Sequence, residues 1–296
     1  MKPIPIVVNP TAGGGRLMRH RSALDAVARA GGVDLRWMPT EGRGHGEELG
    51  RGAAEAGCPL VLAYGGDGTY NEVARGLVGS ATALGVLPGG TTSVLAYELG
   101  MPRPASRGLE ALLGGHDRPM RFGRTSHGDL FLLMLSAGPD AVVVRNLPDR
   151  FKWRGGRGAV AAQAIRELLG GGPLPRLRAT VDDHGVEGGW AIVGNSRCYG
   201  GPHHATPGAD PFADYLEIIV QRGVGRRAAI PFALGIPLGW HVRRRDVARF
   251  NGRRVLLEPA PDGTDVPYQV DGDAAGHLPV EAWIADETVT VRLPHS

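Results

Sequence analysis

The sequence predicts an α/β N-terminal domain, a parallel sheet with helices on both faces, followed by a C-terminal antiparallel β-sandwich domain. Three observations carry this. Strand-like and helix-periodic segments alternate regularly over the first hundred residues, the pattern of βα units on a parallel sheet. Three of those strands run into glycine-rich loops, NPTAGGGR at 9–16, GGDGTYNE at 65–72 and PGGTTS at 88–93. Beyond about residue 120 the texture changes to short apolar runs separated by Gly, Pro, Asp and Asn, as in antiparallel sandwiches. The expected domains are 1–120, a nucleotide-binding unit, and 121–296, a substrate-binding unit whose last residues are able to pack back on the first.

The elements follow in order. Residues 4–8 are a β-branched run, Leu17, His20, Leu24, Val27 and Ala28 fall at helical spacing and stop at Gly31-Gly32, and 33–38 is again strand-like. HGEELGRGAAEAG reads as a helix, 60–64 as a strand, 70–78 as a helix, 84–87 as a strand and 92–99 as a helix. In the second half, strands are expected at 130–136, 177–181, 190–193, 216–220, 247–250, 255–257, 268–270 and 288–293. Helices are expected at 158–169 and 226–238.

Composition narrows the functional classes. Of 296 residues 42% are hydrophobic and 21% charged, with a net charge of +3, which is ordinary globular material. Basic charge is scattered and aromatics are sparse, so a nucleic-acid groove is not expected. Lys2 and Lys152 are the only lysines and neither follows a glycine loop, which excludes a Walker-type site. Cys58 and Cys198, far apart and without a partner at metal-ligand spacing, suggest neither a disulfide framework nor zinc. The opening MKPIPIVVNP is too short for a signal peptide and reads as a first strand, so a cytoplasmic protein is expected. The apolar stretch 228–240 is shorter than the roughly 20 residues of a membrane span. Arginines flank it, so 226–245 reads either as a buried helix with solvated basic ends or as a peripheral contact with the inner face of the membrane.

The glycine loops carry the chemistry. Strands of a parallel sheet point one way, so all three loops emerge on one rim. There glycine lets backbone N–H groups approach a polyanion, and each following helix N-terminus adds about half a positive charge. A phosphate-rich ligand is expected. Asp67 is the odd residue among these glycines, since a carboxylate repels phosphate unless a cation lies between or backbone amides hold it. It therefore points to Mg²⁺ or to a rigid loop, against the plainer reading of a helix cap at Thr69 and Tyr70.

GGDGT, VVNPTAGGGR, Thr40 followed by GHGEEL, LPGGTT, NSRCYGGPHHATPGA and VDGD together resemble the diacylglycerol kinase catalytic family over residues 4–293. This family includes bacterial lipid kinases, diacylglycerol kinases, and sphingosine and ceramide kinases. GGDGT is shared with NAD kinases and phosphofructokinases, so the later elements narrow the choice. The resemblance implies a nucleotide-binding fold of that kind, a β-sandwich that helps hold the lipid, and an active site in the cleft between them. It implies ATP contacts at Asn9, Pro10, Thr11, Ala12, Gly13, Thr40, Gly65, Gly66, Asp67, Gly68, Thr69, Asn71 and Thr91. It implies Mg²⁺ organised by Asp67, a structural divalent ion at Asp214 and the Leu216 carbonyl, and Asp273, beside Asp271, as the proton acceptor. A base is required because a lipid hydroxyl is a poor nucleophile. Asp-Gly-Asp is also a common turn signal, and turn and base are both open readings of 271–273.

The chain departs from the family pattern where Ser93-Val94 replaces an Asn-Asp pair and where Arg121 replaces an Asp. Two acids expected near the metal are missing, which means either a rebuilt site or lost catalysis. The leading expectation is an ATP-dependent lipid kinase acting on a hydroxyl of diacylglycerol or a related lipid. The alternatives are a catalytically impaired nucleotide- or lipid-binding protein and a kinase of a soluble hydroxyl compound. Whether the chain forms a homodimer is left open.

Overall fold

The computed structural model describes residues 3–15, 17–90, 92–147, 174–261 and 265–295. The helix expected at 158–169 and the site residue Thr91 lie outside them. The chain divides into two compact units, Met1–Met120 with Asp286–Ser296, and Arg121–Ala285.

In the first unit, β1 (Ile4–Val8), β2 (Leu35–Pro39), β3 (Leu60–Gly65), β4 (Ala83–Pro88), β5 (His116–Met120) and β20 (Val289–Leu293) form one sheet in the order β2-β1-β3-β4-β20-β5. The pairings from β2 to β20 are parallel, and β5 is antiparallel to β20. All six residues of β3 are buried, as expected of a central strand covered on both faces. Of the helices, His45–Glu55 and Asp67–Leu77 lie so close that a Cβ at Gly50 would stand 2.8 Å from the Val73 carbonyl oxygen, and one at Gly76 would collide with the Glu47 carbonyl. That approach accounts for glycines in helix interiors, where they cost about 1 kcal/mol each relative to alanine. Glu72 reinforces it: its carboxylate accepts the N–H groups of Gly44 (2.9 Å) and Gly46 (3.0 Å), capping the neighbouring helix.

The strand expected at 288–293 belongs to this sheet, not to the sandwich. Its alternating valines, Val289 and Val291, are fully buried beside β4. A period of two shows that a strand has a buried face without naming its partner; this strand is the part of the last residues that packs back on the first unit. The Ala105–Leu113 helix and β5, unremarked in the sequence, complete the unit.

The second unit is a sandwich of two six-stranded antiparallel sheets. One contains β6 (Gly123–Thr125), β7 (Leu130–Phe131), β9 (Leu177–Val181), β10 (His184–Gly188), β16 (Arg254–Pro259) and β19 (Val280–Ile284), in the order β10-β9-β16-β19-β6-β7. The other contains β8 (Met134–Ala137), β11 (Trp190–Gly194), β14 (Leu216–Gln221), β15 (Val247–Gly252), β17 (Pro267–Val270) and β18 (Asp273–His277), in the order β15-β14-β11-β8-β17-β18. Inward side chains of both, among them Leu135, Val193, Ile218, Val255, Leu257 and Val280, form one core. The single strand expected at 130–136 is broken into β7 and β8, because the backbone amides between them turn toward Asp271.

One polar cluster is buried in this unit. Asp140, in the first turn of the Pro139–Arg145 helix, accepts hydrogen bonds from Ser136 Oγ (2.9 Å) and Tyr199 Oη (3.3 Å). Trp190 Nε1 donates to Ser136 Oγ at 3.1 Å. Burial pushes the Asp140 carboxyl above its ordinary value of 3.8, against the downward pull of these donors. A group whose folded-state pKa is raised stabilises the fold fully only below its unfolded value, and that contribution is lost as pH rises through the folded value.

Two outcomes are expected. In urea unfolding at a series of pH values, Asp140→Asn should reduce the loss of stability as pH rises above about 4; an unchanged pH profile would contradict this account of the cluster. Val291→Asp, which buries an unpaired charge between β4 and β5, should destabilise the first unit by about 3 kcal/mol or more. An unfolding midpoint equal to that of the unaltered chain would show that β20 does not matter to it.

Candidate functional site

The carboxyl ends of the parallel strands in the first unit carry Asn9 after β1, Thr40 after β2, Gly66 after β3 and Gly89 after β4, where open α/β sheets receive ligands. The first loop is shaped by Asn9, whose Oδ1 accepts the Thr11 N–H (3.0 Å) and hydroxyl (2.8 Å). Pro10 lies between them. Beyond Ala12, three consecutive glycines, Gly13, Gly14 and Gly15, have φ of 58, 71 and 75°, a left-handed turn that side chains resist. A Cβ at Gly13 would stand 2.6 Å from the Gly89 carbonyl oxygen, so the first and third loops touch. Thr40 donates its N–H to Val8 O at 2.9 Å.

The second and third loops are joined more tightly. The N–H groups of Gly89 and Gly90 both donate to Gly65 O, at 2.8 and 2.7 Å. A Cβ at Gly90 would stand 2.7 Å from Gly66 Cα. Beneath them the buried Tyr70 hydroxyl lies 2.8 Å from Gly65 O and 2.9 Å from Leu87 O, and burial raises its pKa, keeping it a donor. Thr69 and Asn71 are buried, and Asn71 Oδ1 accepts from Arg75 Nε at 2.7 Å along the same helix. Gly68, by contrast, is exposed at the helix N-terminus with open space beside its Cα.

Asp67 is the clip of this arrangement. Its Oδ2 accepts the Val94 N–H and its Oδ1 the Leu95 N–H, each at 2.9 Å, and Thr92 Oγ1 lies 3.4 Å away. It caps the helix Val94–Glu98, in the third loop, and not the helix it begins. Burial pushes its carboxyl up while these donors pull it down. Val94, read from the sequence as the loss of an acid, thus supplies a backbone donor to the acid that remains. Tyr70 and Glu72 are site supports that the sequence pattern did not reveal, since each sits inside a segment read only as helix or loop.

No group of three or more His, Cys, Asp or Glu side chains able to hold a metal is present among the described residues. The donor set fits a polyphosphate whose own oxygens complete the shell of a Mg²⁺, with Asp67 the single carboxylate. It does not fit a cation held by protein groups alone.

In the second unit, Asp271 and Gly272, both with positive φ (50 and 91°), form the two-residue turn between β17 and β18, across which Val270 pairs with Asp273. The segment is a turn, and its two carboxylates differ in their surroundings. Asp271 accepts three backbone N–H groups, those of Leu132 (2.8 Å), Leu133 and Met134 (2.9 Å each). Asp273, the first residue of β18, is exposed. Gly272 N–H donates to Gln269 Oε1 at 2.7 Å, and Gln269 Nε2 reaches Asp140 at 3.5 Å, so the turn is tied to the buried polar cluster.

A divalent ion at Asp214 and Leu216 does not fit the residues present. The Asp214 carboxylate is ion-paired with the Arg253 guanidinium, and Arg121 lies 3.6 Å from it. Arg121 also donates to Ala285 O at 2.9 Å. Leu216 heads β14, its side chain fully buried. Two guanidinium groups stand where a cation was expected, and they satisfy the same carboxylate.

Comparison with known proteins is consistent along the chain. Residues 3–125 match the family described as diacylglycerol kinase catalytic domain, and residues 134–293 match the YegS C-terminal NAD kinase beta sandwich-like domain. A diacylglycerol kinase of Bacillus subtilis is 24% identical over 95% of this chain and 93% of its own length. A probable lipid kinase YegS-like protein of Chromohalobacter salexigens is 32% identical over 70% of this chain and 68% of its own. A diacylglycerol kinase of Mycobacterium tuberculosis is 27% identical over 98% and 95%. The crystal structure of a putative diacylglycerol kinase from Bacillus anthracis superposes with a TM-score of 0.81 at 20% identity, covering 98% of this chain and 94% of that one; at that identity it establishes the fold.

The Asp271 geometry generates a prediction. Asp271→Ala leaves three partly buried amides without their acceptor and should lower the stability of the second unit by about 2–4 kcal/mol. Denaturant unfolding checks this, and a loss below about 0.5 kcal/mol would mean that water replaces the carboxylate at little cost.

Proposed function

The chain belongs to the diacylglycerol kinase catalytic-domain family, and from that premise we propose that it is an ATP-dependent lipid kinase, transferring the γ-phosphoryl group to a hydroxyl of diacylglycerol or a related lipid. The observation that carries this reading is the rim of the first unit, where Asn9, Gly13, Gly66, Gly68 and Gly90 lie on loops locked together by Asp67 and Tyr70. Backbone N–H groups presented from a rigid loop bind phosphate without reorganisation. Mg²⁺ with ATP supplies the electrophilic phosphoryl group and neutralises charge on it. The part left to the chain is to hold the polyphosphate at these loops, with Asp67 facing the cation, and to accept the proton of the lipid hydroxyl.

For the proton acceptor we assign Asp273 alone. Asp271 is already engaged by three amide N–H groups, whereas Asp273 is exposed at the turn's end. Asp271 then acts as the residue that holds the turn. A second reading, a nucleotide- or lipid-binding protein without turnover, is favoured by Arg121, whose guanidinium stands beside Asp214 in place of a cation.

Transfer of label from γ-labelled ATP with Mg²⁺ to lipids in mixed micelles distinguishes the two. Asp273→Ala is expected to lower kcat by roughly 10²–10⁴ with nucleotide affinity nearly unchanged. Equal turnover in that variant would remove Asp273 from the mechanism, and nucleotide binding without transfer to any lipid would favour the second reading.

A further inference from the structure

The helix Arg226–Leu238 breaks the usual rule for a surface helix. Its inner face is Ala229, Phe232, Gly235 and Ile236, all buried. Phe232 packs edge-on against Trp190 (5.2 Å between ring centroids) and His241 (5.6 Å). Gly235 brings the helix so close to His241 that a Cβ there would stand 3.0 Å from its Cα. At 100° per residue the opposite face carries Arg227, Pro231, Leu234 and Leu238. A surface helix ordinarily places polar residues on that side, but no polar side chain occurs from Ala228 to Leu238.

Leu234 is 60% exposed and Leu238 69% exposed, and Val224 and Trp240 are exposed beside them. These four are the exposed large hydrophobic residues among the described residues, and all fall within one short segment. Gly239, with φ of 71°, ends the helix, and the exposed Trp240 follows it. Scattered single exposed apolar side chains need no explanation, but four grouped at one helix do.

Charge identifies what covers them. Between Glu217 and Asp246 the chain has no acidic residue and six arginines, Arg222, Arg226, Arg227, Arg243, Arg244 and Arg245. Arg244 is held by Asp246 at 2.9 and 2.8 Å, while Arg227, Arg243 and Arg245 are exposed. An apolar ridge with a tryptophan at its end and guanidinium groups on both sides matches an anionic bilayer surface. Leucine and tryptophan enter the headgroup and acyl boundary, and arginine meets the lipid phosphates. A soluble acidic partner would answer the arginines but leave the leucines without a matching surface.

We infer that residues 224–245 form a peripheral docking surface for an anionic lipid bilayer, seated through Leu234, Leu238 and Trp240. The inference deepens the lipid-kinase reading, because a substrate with acyl chains resides in such a surface, but its test needs neither nucleotide nor turnover. The full chain is sedimented with vesicles of phosphatidylcholine alone, and with vesicles containing about one third phosphatidylglycerol, at low and high salt. Binding to the anionic vesicles at least tenfold tighter than to the neutral ones, and weakened by salt, is expected.

Leu234→Glu with Leu238→Glu should lower that binding at least tenfold while the unfolding temperature stays unchanged, since both side chains are mostly exposed. Arg243→Glu with Arg245→Glu should lower it and flatten the salt dependence. Phosphoryl transfer to lipid dispersed in detergent micelles should stay at the unaltered level in both variants, so that loss of vesicle binding and failure of the kinase reading are told apart. Equal binding to neutral and anionic vesicles, or unchanged binding in the leucine variant, would overturn the inference. So would sedimentation equilibrium showing a dimer that the leucine variant dissociates, which would assign the face to a second copy of the chain.

Discussion

The carboxylate of Asp67 is the interaction on which the candidate site depends. Two backbone amides from a helix more than twenty residues away in sequence converge on it, adding to the contacts that join the second and third glycine loops at the Gly65 carbonyl and Tyr70. Each charge-assisted hydrogen bond of this kind contributes about 1.5–3 kcal/mol. The larger effect is geometric. Glycine loops are the most costly part of a chain to order, and a carboxylate with two oxygens fixes two amides at once. Burial works against the charge, and the amides hold it in place.

The second unit uses the same device. Asp271 gathers three amides just as Asp67 gathers two. Gln269 links that turn to Asp140, so the exposed Asp273 stands on a support that is itself hydrogen-bonded into the core of the sandwich. At Asp214 the guanidinium groups of Arg253 and Arg121 supply positive charge from the protein itself.

Much of this was legible in the sequence because it rests on local pattern. The alternation over residues 4–99 follows from the side-chain periods of helix and strand, and the glycine loops stand out as glycine runs directly after strands. What was not legible depends on contacts distant in sequence. Asp67 could be read as metal ligand, loop anchor or cap, and only the placement of Val94 and Leu95 shows that it caps the helix of a different loop. Asp271 and Asp273 look equivalent as letters, yet three amides separate their roles. The strand Val289–Leu293 has a clear period but no label for its partner, and Arg121, which reads as a missing acid, becomes a substitute for a cation only once Asp214 is beside it.

The central claim is that the three glycine loops of the first unit form one phosphate site organised by Asp67. Amide chemical-shift mapping of the ¹⁵N-labelled chain with Mg²⁺-ATP tests it most directly. The account predicts that the largest perturbations fall on Gly13, Gly66, Gly68 and Gly90, and that they are lost together in Asp67→Asn. Perturbations elsewhere, or the same perturbations in that variant at equal affinity, would contradict it.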